Sequence, residues 1–311
     1  MEKPTTITRY SSLKIGTSYV KTCLEGKLIN LIPQNIYIFP KISVVIHVYN
    51  CENIIKASIR SIQNQNMEEI EIILVNDNSS DNSFQIIKQL SSEDPLIKIL
   101  DNKNNRGTLF SRNIGILNSK GQYIMNLDND DLFLNKNVFD ILYKEIDNSN
   151  FDIIGFSGVE CYTYTPKIYQ MHDNYFFNHK NGLILHQPEL KYFPFTRNKK
   201  FKPNNYLVWG RIARNNLYIK AMNNLGTSAI GEDRKVQKIY WAEDSSMSIV
   251  LFSLAKSYKF VKKYGIFHYL SKNTASKTLR YDDKLFGDIY FVDLIYDFTD
   301  NDFTKEKICI G

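Results

Sequence analysis

Ile42-Ser-Val-Val-Ile-His-Val48 is a β-branched run that stops abruptly at Tyr49-Asn50. Its mostly apolar, β-branched character marks a buried strand. The residues beyond it change period, because Ile55, Ile59 and Ile62 recur at helical spacing. A second strand, Glu71-Ile-Ile-Leu-Val75, closes on Asn76-Asp-Asn-Ser-Ser-Asp81. Asp81 is placed to cap a helix whose apolar face is Phe84, Ile87 and Leu90. The alternation continues with a strand at Leu96–Leu100, a helix marked by Phe110, Ile114 and Leu117, and a strand at Tyr123–Leu127. Val138, Leu142 and Ile146 mark a further helix, followed by a strand at Asp152–Phe156. Strands alternating with helices in this way predict βαβ units, and hence an α/β fold with a Rossmann-like, mostly parallel central sheet flanked by helices. In such sheets the crossovers are right-handed and ligands bind beyond the carboxyl ends of the strands. Those ends carry His47-Val-Tyr-Asn50, Asn76–Asp81 and Asp128-Asn-Asp-Asp131.

Farther along, periodicity fades from Gly158 to Asn205 and returns at Leu207–Trp209. Helices are expected over Arg211–Met222 and Ala242–Lys256, and a strand over Lys259–His268. A last helix is expected within Asp282–Asp297, on Leu285, Ile289 and Leu294. Residues 1–40 show no clear pattern and read as an extension. The 311 residues, 43% apolar and 23% charged, are enough to bury a core and exclude disorder. A net charge of +6 permits an anionic partner without naming one. Cys23, Cys51, Cys161 and Cys309 stand far apart with no CxxC pair, which fits reduced thiols. The N-terminus has no apolar run after its charges, and no stretch approaches the roughly 20 apolar residues of a membrane span. A cytoplasmic location is therefore expected.

Asp128 and Asp130 sit where an apolar strand meets solvent, and residues i and i+2 of an extended segment point the same way. Crowded carboxylates are costly unless a cation or a shared proton compensates. Oxygen ligands suit Mg²⁺ or Mn²⁺, and Mg²⁺ commonly takes one or two carboxylates together with substrate phosphates. The alternative is a solvated turn that caps a helix near Asn135. Neither GxGxxG nor GxxxxGK[ST] occurs, so phosphates would be held by metal and side chains rather than a glycine cradle. Asp77 is placed to accept hydrogen bonds from a base or ribose.

Four ordered pieces carry a family resemblance: SVVIHVYNCENIIKASIRSIQNQ (43–65), EIILVNDNSSD (71–81), NNRGTLFSRNIGILNSKGQYIMNLDNDD (104–131) and YWAEDSSMSIVLFSLAKSYKFV (240–261). The chain resembles the family 2 glycosyltransferases, inverting enzymes of GT-A fold. The likeness covers residues 41–160 well and 205–270 more loosely. It implies a single catalytic domain over 41–270, with a nucleotide-binding half (41–131) and an acceptor half (132–270). Residues 271–311 would be a C-terminal helical appendage. It also implies transfer of a sugar from a nucleotide-diphosphate donor, UDP-sugar first and GDP-sugar next, with Mn²⁺ or Mg²⁺. The acceptor would be a hydroxyl of a glycan, lipid-linked or protein partner.

Position by position, Asp77 resembles the aspartate that reads uracil or ribose. Asp128 and Asp130 resemble the DxD motif, the first nearer the ribose and the second on the metal. Glu243-Asp244 resembles the ED pair at a helix start, with Asp244 as base and Glu243 as its orienter or substitute. Arg112, in SRN, matches a position near the nucleotide pocket, or else pairs with a strand-end aspartate. Arg211, in WGR, resembles a diphosphate contact. His268 falls where some GT-A enzymes supply a late metal or diphosphate ligand. His47 and Tyr49 lie in HVYN, where the family usually has proline in place of His47; this imidazole would lie beside the base or simply pack.

Residues 162–209 concentrate aromatic side chains, among them Tyr162, Tyr192, Phe193 and Trp209, around Arg197, Lys199, Lys200 and Lys202. These rings either fill a loop-rich core or face an acceptor. The basic cluster would attract a phosphorylated or lipid-diphosphate acceptor at a membrane surface, as a peripheral contact. No RRM, KH or helix-turn-helix pattern occurs, so nucleic acid is not expected as a partner. Two other classes compete: a non-catalytic sugar-nucleotide or glycan-binding module of the same fold, and a nucleotidyltransferase. The second needs a glycine- and lysine-rich loop after the first strand, which Tyr49–Asn53 is not.

Overall fold

A computed structural model describes residues 39–161, 181–193, 208–229, 242–269 and Leu294. All of them belong to the unit Phe39–Gly311. The expected N-terminal extension, most of the basic-aromatic stretch and the C-terminal appendage, apart from the buried Leu294, lie outside the described residues.

The elements run β1 (Ile42–Val48), α1 (Ile55–Gln63), β2 (Ile70–Asn76), α2 (Ser83–Glu93), β3 (Ile97–Asp101), α3 (Thr108–Leu117) and β4 (Tyr123–Leu127). They continue with β5 (Leu132–Phe133), α4 (Val138–Asp147), β6 (Ile153–Cys161), β7 (Ile184–His186), β8 (Arg211–Arg214), α5 (Asn215–Ala229), α6 (Glu243–Leu254) and β9 (Ser257–Tyr269). They build one nine-stranded sheet in the order β3-β2-β1-β4-β8-β6-β9-β5, with β7 on β9.

The first four strands are parallel, as the alternation predicts. Beyond them the sheet is mixed: β8 lies antiparallel to both β4 and β6, while β6 and β9 run parallel. Arg211–Arg214 is thus a strand, where the sequence pattern predicted the start of a helix. Ile212 and Ala213 are fully buried there, and a slot between two strands satisfies the backbone on both sides. Tertiary pairing overrides local spacing, and the helix begins only at Asn215.

Close packing fixes α3 on the sheet. A side-chain carbon added at Gly115 would lie 2.5 Å from Val45 Cγ1, so no larger residue fits between α3 and β1. Arg112 stands three residues earlier on the same helix face. The helix α6 is buried nearly all round, with Met247, Ile249, Val250, Leu251 and Phe252 inaccessible. It therefore carries Glu243 and Asp244, at its first turn, into the body of the protein.

Register does the rest. β5 and β9 pair antiparallel, Leu132 with Phe267 and Phe133 with Ile266. Continued by one residue, that register sets Asp131 across from His268. Ser58 Oγ on α1 donates to the Asp131 carbonyl at 2.7 Å and holds the turn from the other side.

Candidate active site

The acidic turn after β4 folds on itself through Asp131 N–H donating to the Asp128 carbonyl at 3.1 Å. Asp131 is fully buried, and its two carboxylate oxygens lie 2.9 and 3.1 Å from His268 Nδ1. The imidazole also stacks on Trp209, with centroids 5.2 Å apart and planes at 24°. Burial would lower the His268 pKa, but the Asp131 carboxylate outweighs it and holds the ring protonated above its ordinary range. Burial and the Asp128 charge push Asp130 up to about 6. Asp128, Asp131 and His268 each offer a ligand atom, and these atoms lie within 4.8 Å of one another. Sequence reasoning singled out Asp128, Asp130 and His268 and missed Asp131. Its signal was an acid immediately before the apolar pair Leu132-Phe133; its partner lies 137 residues away.

Arg112 joins this turn to α6. One guanidinium nitrogen, Nη2, bonds Asp128 Oδ1; the other, Nη1, bonds Asp244 Oδ1 and lies 3.6 Å from Glu243 Oε1. Only 6% of the Arg112 side chain is exposed, against 24% for Asp128, 19% for Glu243 and 23% for Asp244. Burial alone would lower the arginine pKa; the three carboxylates drive it the other way, far above its usual value. Glu243 is pushed up by burial and by the Asp244 charge, with Arg112 opposing. Asp244 is likewise raised by burial, against the pull of Arg112. The first turn of α6 lends both carboxylates the favourable end of the helix dipole. The expected pairing of Arg112 with a strand-end aspartate is present, and that aspartate is itself one of the candidate site residues.

Asp77, at the end of β2, is also fully buried. Its Oδ1 accepts from Arg106 N–H at 2.7 Å and Asn102 Nδ2 at 2.9 Å, and its Oδ2 from Gly107 N–H at 2.8 Å. These bonds shape the turn into α3, where Gly107 takes a left-handed φ of 87° that favours glycine. His47 Nε2 stands 3.6 Å from Asp77 Oδ2, too far for a hydrogen bond, and has no hydrogen-bond partner among the described residues. Burial would raise the Asp77 pKa; His47, the Arg106 N–H and the Asn102 amide more than offset it and hold it below the usual range. A carboxylate depressed in the fold contributes stability that is present above about pH 4 and lost as pH falls through its folded value. Asp77→Asn is therefore expected to cost about 1–3 kcal/mol at pH 7, and the difference from the parent should shrink in acid. Urea unfolding at pH 7 and pH 4 checks this.

The neighbouring Asp81 acts one residue earlier than a cap would. The helix starts at Ser83, and Asp81 accepts from Ser83 N–H at 2.9 Å and Glu52 N–H at 3.1 Å. Tyr49 is 39% exposed at the mouth of the same loops.

Arg211, at the start of β8, is buried next to α6. It is 2% exposed, donates to Ser248 Oγ at 2.9 Å, and lies over the Phe252 ring at 4.8 Å. The fold thus brings Asp128, Asp130, Asp131, Glu243, Asp244, Arg112 and His268 into one acidic cluster. Arg211 lies against α6 at Ser248 and within electrostatic range of Asp244. Phe193 and Trp209, of the aromatic stretch, are packed against or within the core.

Residues 43–234, more than half of the chain, match the family model described as "Glycosyl transferase family 2". The chain belongs to this family. Among the relatives of this family 2 chain, glycosyltransferase GlyG of Streptococcus pneumoniae is 34% identical over 113 residues, 36% of this chain and 37% of GlyG. The "Uncharacterized glycosyltransferase EpsJ" of Bacillus subtilis is 29% identical over 235 residues, 74% of this chain and 61% of EpsJ. The chain thus spans only part of the length of these relatives. The crystal structure of S. aureus TarS 1–349 superposes with a TM-score of 0.55 at 17% identity, covering 87% of this chain and 76% of that one. Its complex with UDP-GlcNAc gives 0.56 at 17% identity, over 86% and 76%. At such identity the likeness is one of fold, and it supports the GT-A architecture expected from the sequence. No helix among the described residues is long and apolar enough to cross a membrane.

Proposed function

We propose that this family 2 protein transfers a sugar from a UDP-sugar to an acceptor hydroxyl, with inversion at the anomeric carbon and a divalent cation at the acidic turn. The observation that carries the reading is the convergence, on Arg112, of the strand-end Asp128 and the α6 carboxylates Glu243 and Asp244. On this reading a donor-binding end and a base stand side by side. The crystal structures of TarS 1–349 in complex with UDP and with UDP-GlcNAc support UDP as the nucleotide.

The donor set suits a cation. Among the described residues, the carboxylates Asp128, Asp130, Asp131, Glu243 and Asp244 have Arg112, Arg211 and His268 as cationic neighbours. A mixed carboxylate and imidazole set fits Mn²⁺ and, less well, Mg²⁺. Asp128, Asp130 and His268 would hold the ion, which when bound neutralises charge on the leaving diphosphate. Asp244 takes the proton of the acceptor hydroxyl, and Glu243 beside it keeps the local field negative. Arg112 holds Asp244 in one orientation. His47, Tyr49 and Asp77 line the strand ends on the nucleotide side, with Asp77 shaping the loop at the base of that pocket. Displacement needs no enzyme nucleophile. The acceptor is a glycan, lipid-linked or protein hydroxyl.

Isothermal titration with UDP tests the donor half of this reading. Binding is expected in the presence of Mn²⁺ and is expected to weaken at least about tenfold in EDTA. Equal affinity in both would remove the metal from the account; no binding in either would remove the nucleotide.

A further inference from the structure

We propose that Asp131 is a positioning residue for His268, fixing which ring nitrogen meets the divalent cation, and is not itself a ligand of that cation. The inference rests on the metal reading of the site given above.

Both Asp131 oxygens are at hydrogen-bond distance from His268 Nδ1, at 2.9 and 3.1 Å. An ionised carboxylate only accepts, so opposite ionised Asp131 it is Nδ1 that carries the proton. A protonated nitrogen has no lone pair for a cation. Coordination therefore falls to Nε2, which gives up its own proton to solvent when the cation binds. This is the arrangement in which a carboxylate behind an imidazole sets its tautomer and strengthens it as a ligand.

The surroundings make the ring a fixed part. Trp209 stacks on one face at 5.2 Å. The register of β5 with β9 sets residue 131 opposite residue 268. Ser58 Oγ donates to the Asp131 backbone carbonyl at 2.7 Å and anchors the turn that carries the acid. Exposure separates the roles. The Asp131 side chain is wholly inaccessible, whereas Asp128 is 24% and His268 20% exposed. The acid stands behind the imidazole, and the open side is presented by Asp128 and the ring. In the competing arrangement the cation takes an Asp131 oxygen directly, since the three ligand atoms lie within 4.8 Å. That arrangement would divert to the cation one of the two oxygens that now face the ring.

The test uses the full chain and a double-mutant cycle on Mn²⁺ affinity, measured by electron paramagnetic resonance with UDP present. Asp131→Asn is expected to weaken Mn²⁺ about 10- to 100-fold. In a His268→Gln background the same change is expected to do little, because its effect passes through the ring. An equal loss in both backgrounds would make Asp131 a ligand and overturn the proposal, as would no loss in either. A second readout does not depend on the folding of the Asp131 variant. The chain has five histidines, so His268→Gln identifies the ring in a ¹⁵N-histidine spectrum of the parent protein. With UDP and Cd²⁺ as a diamagnetic substitute, Nε2 is expected to shift while Nδ1 keeps its proton. A shift at Nδ1, or at neither nitrogen, would overturn the proposal. Failure of the parent itself to bind Mn²⁺ would instead remove the metal reading, and this inference with it.

Discussion

Asp244→Asn lowers turnover of a UDP-sugar by ~10²–10⁴-fold, while the affinity for UDP and Mn²⁺ stays within about threefold. The size follows from the role: an acceptor hydroxyl attacks poorly unless a positioned group takes its proton. The selectivity follows from the place. Asp244 belongs to α6, whereas the nucleotide side is built from the ends of β1, β2 and β4. Asn keeps the shape and can still accept from Arg112 Nη1 through its carbonyl, so the site should stay assembled. Steady-state release of UDP together with calorimetric UDP binding checks both halves. Retained turnover would move the role of base to Glu243, whose carboxylate lies 3.6 Å from the same guanidinium nitrogen. Loss of UDP binding would mean that α6 organises the donor pocket as well.

Removing the Arg112 charge has the largest expected effect on stability. Arg112→Met leaves Asp128, Glu243 and Asp244 without the cation they share, and breaking such a buried pairing typically costs about 3–5 kcal/mol. The deficit should depend on pH in a stated direction. The Glu243 and Asp244 pKa values are already raised in the fold, and loss of the arginine raises them further. A raised carboxylate disfavours the fold above its unfolded value and is relieved by protonation as pH falls. The difference between variant and parent should therefore shrink from pH 8 to pH 5. Paired denaturant titrations measure it; a deficit that grows in acid, or stays below about 1 kcal/mol at pH 8, would contradict the buried clamp. Arg112→Lys should recover part of the stability and little of the geometry, since an ammonium cannot bridge two carboxylates as a fork does.

Local sequence carried the nucleotide-side half of the fold because its signals are local. Val44, Val45 and Ile46 form a β-branched run, and Ile55, Ile59 and Ile62 keep helical spacing; all are inaccessible in the structure. The polar strand ends announced where side chains would gather, and the resemblance attached roles to them. Three features were beyond that kind of reading. Arg211–Arg214 has spacing that a helix also shows, and only the slot between β4 and β6 makes it a strand. The Asp131–His268 pair depends on the register of two strands far apart in sequence. The sharing of Arg112 between Asp128 and Asp244 depends on α3 lying hard against β1 at Gly115. The burial of Asp77 belongs with these, since its hydrogen-bond donors come from a loop about 25–30 residues away. The acidity of the strand ends was plain from composition, and their partners were not.

The central claim is transfer chemistry at this acidic cluster, and one measurement meets it directly. The protein is incubated with a panel of UDP- and GDP-sugars, with Mn²⁺ or with EDTA, and the released nucleotide and sugar are read by mass spectrometry. The expected result is release of UDP and free sugar from at least one UDP-sugar with Mn²⁺, lost in EDTA and lost in Asp244→Asn. Release that persists unchanged in EDTA and in Asp244→Asn, or UDP binding with no release from any donor, would contradict the account.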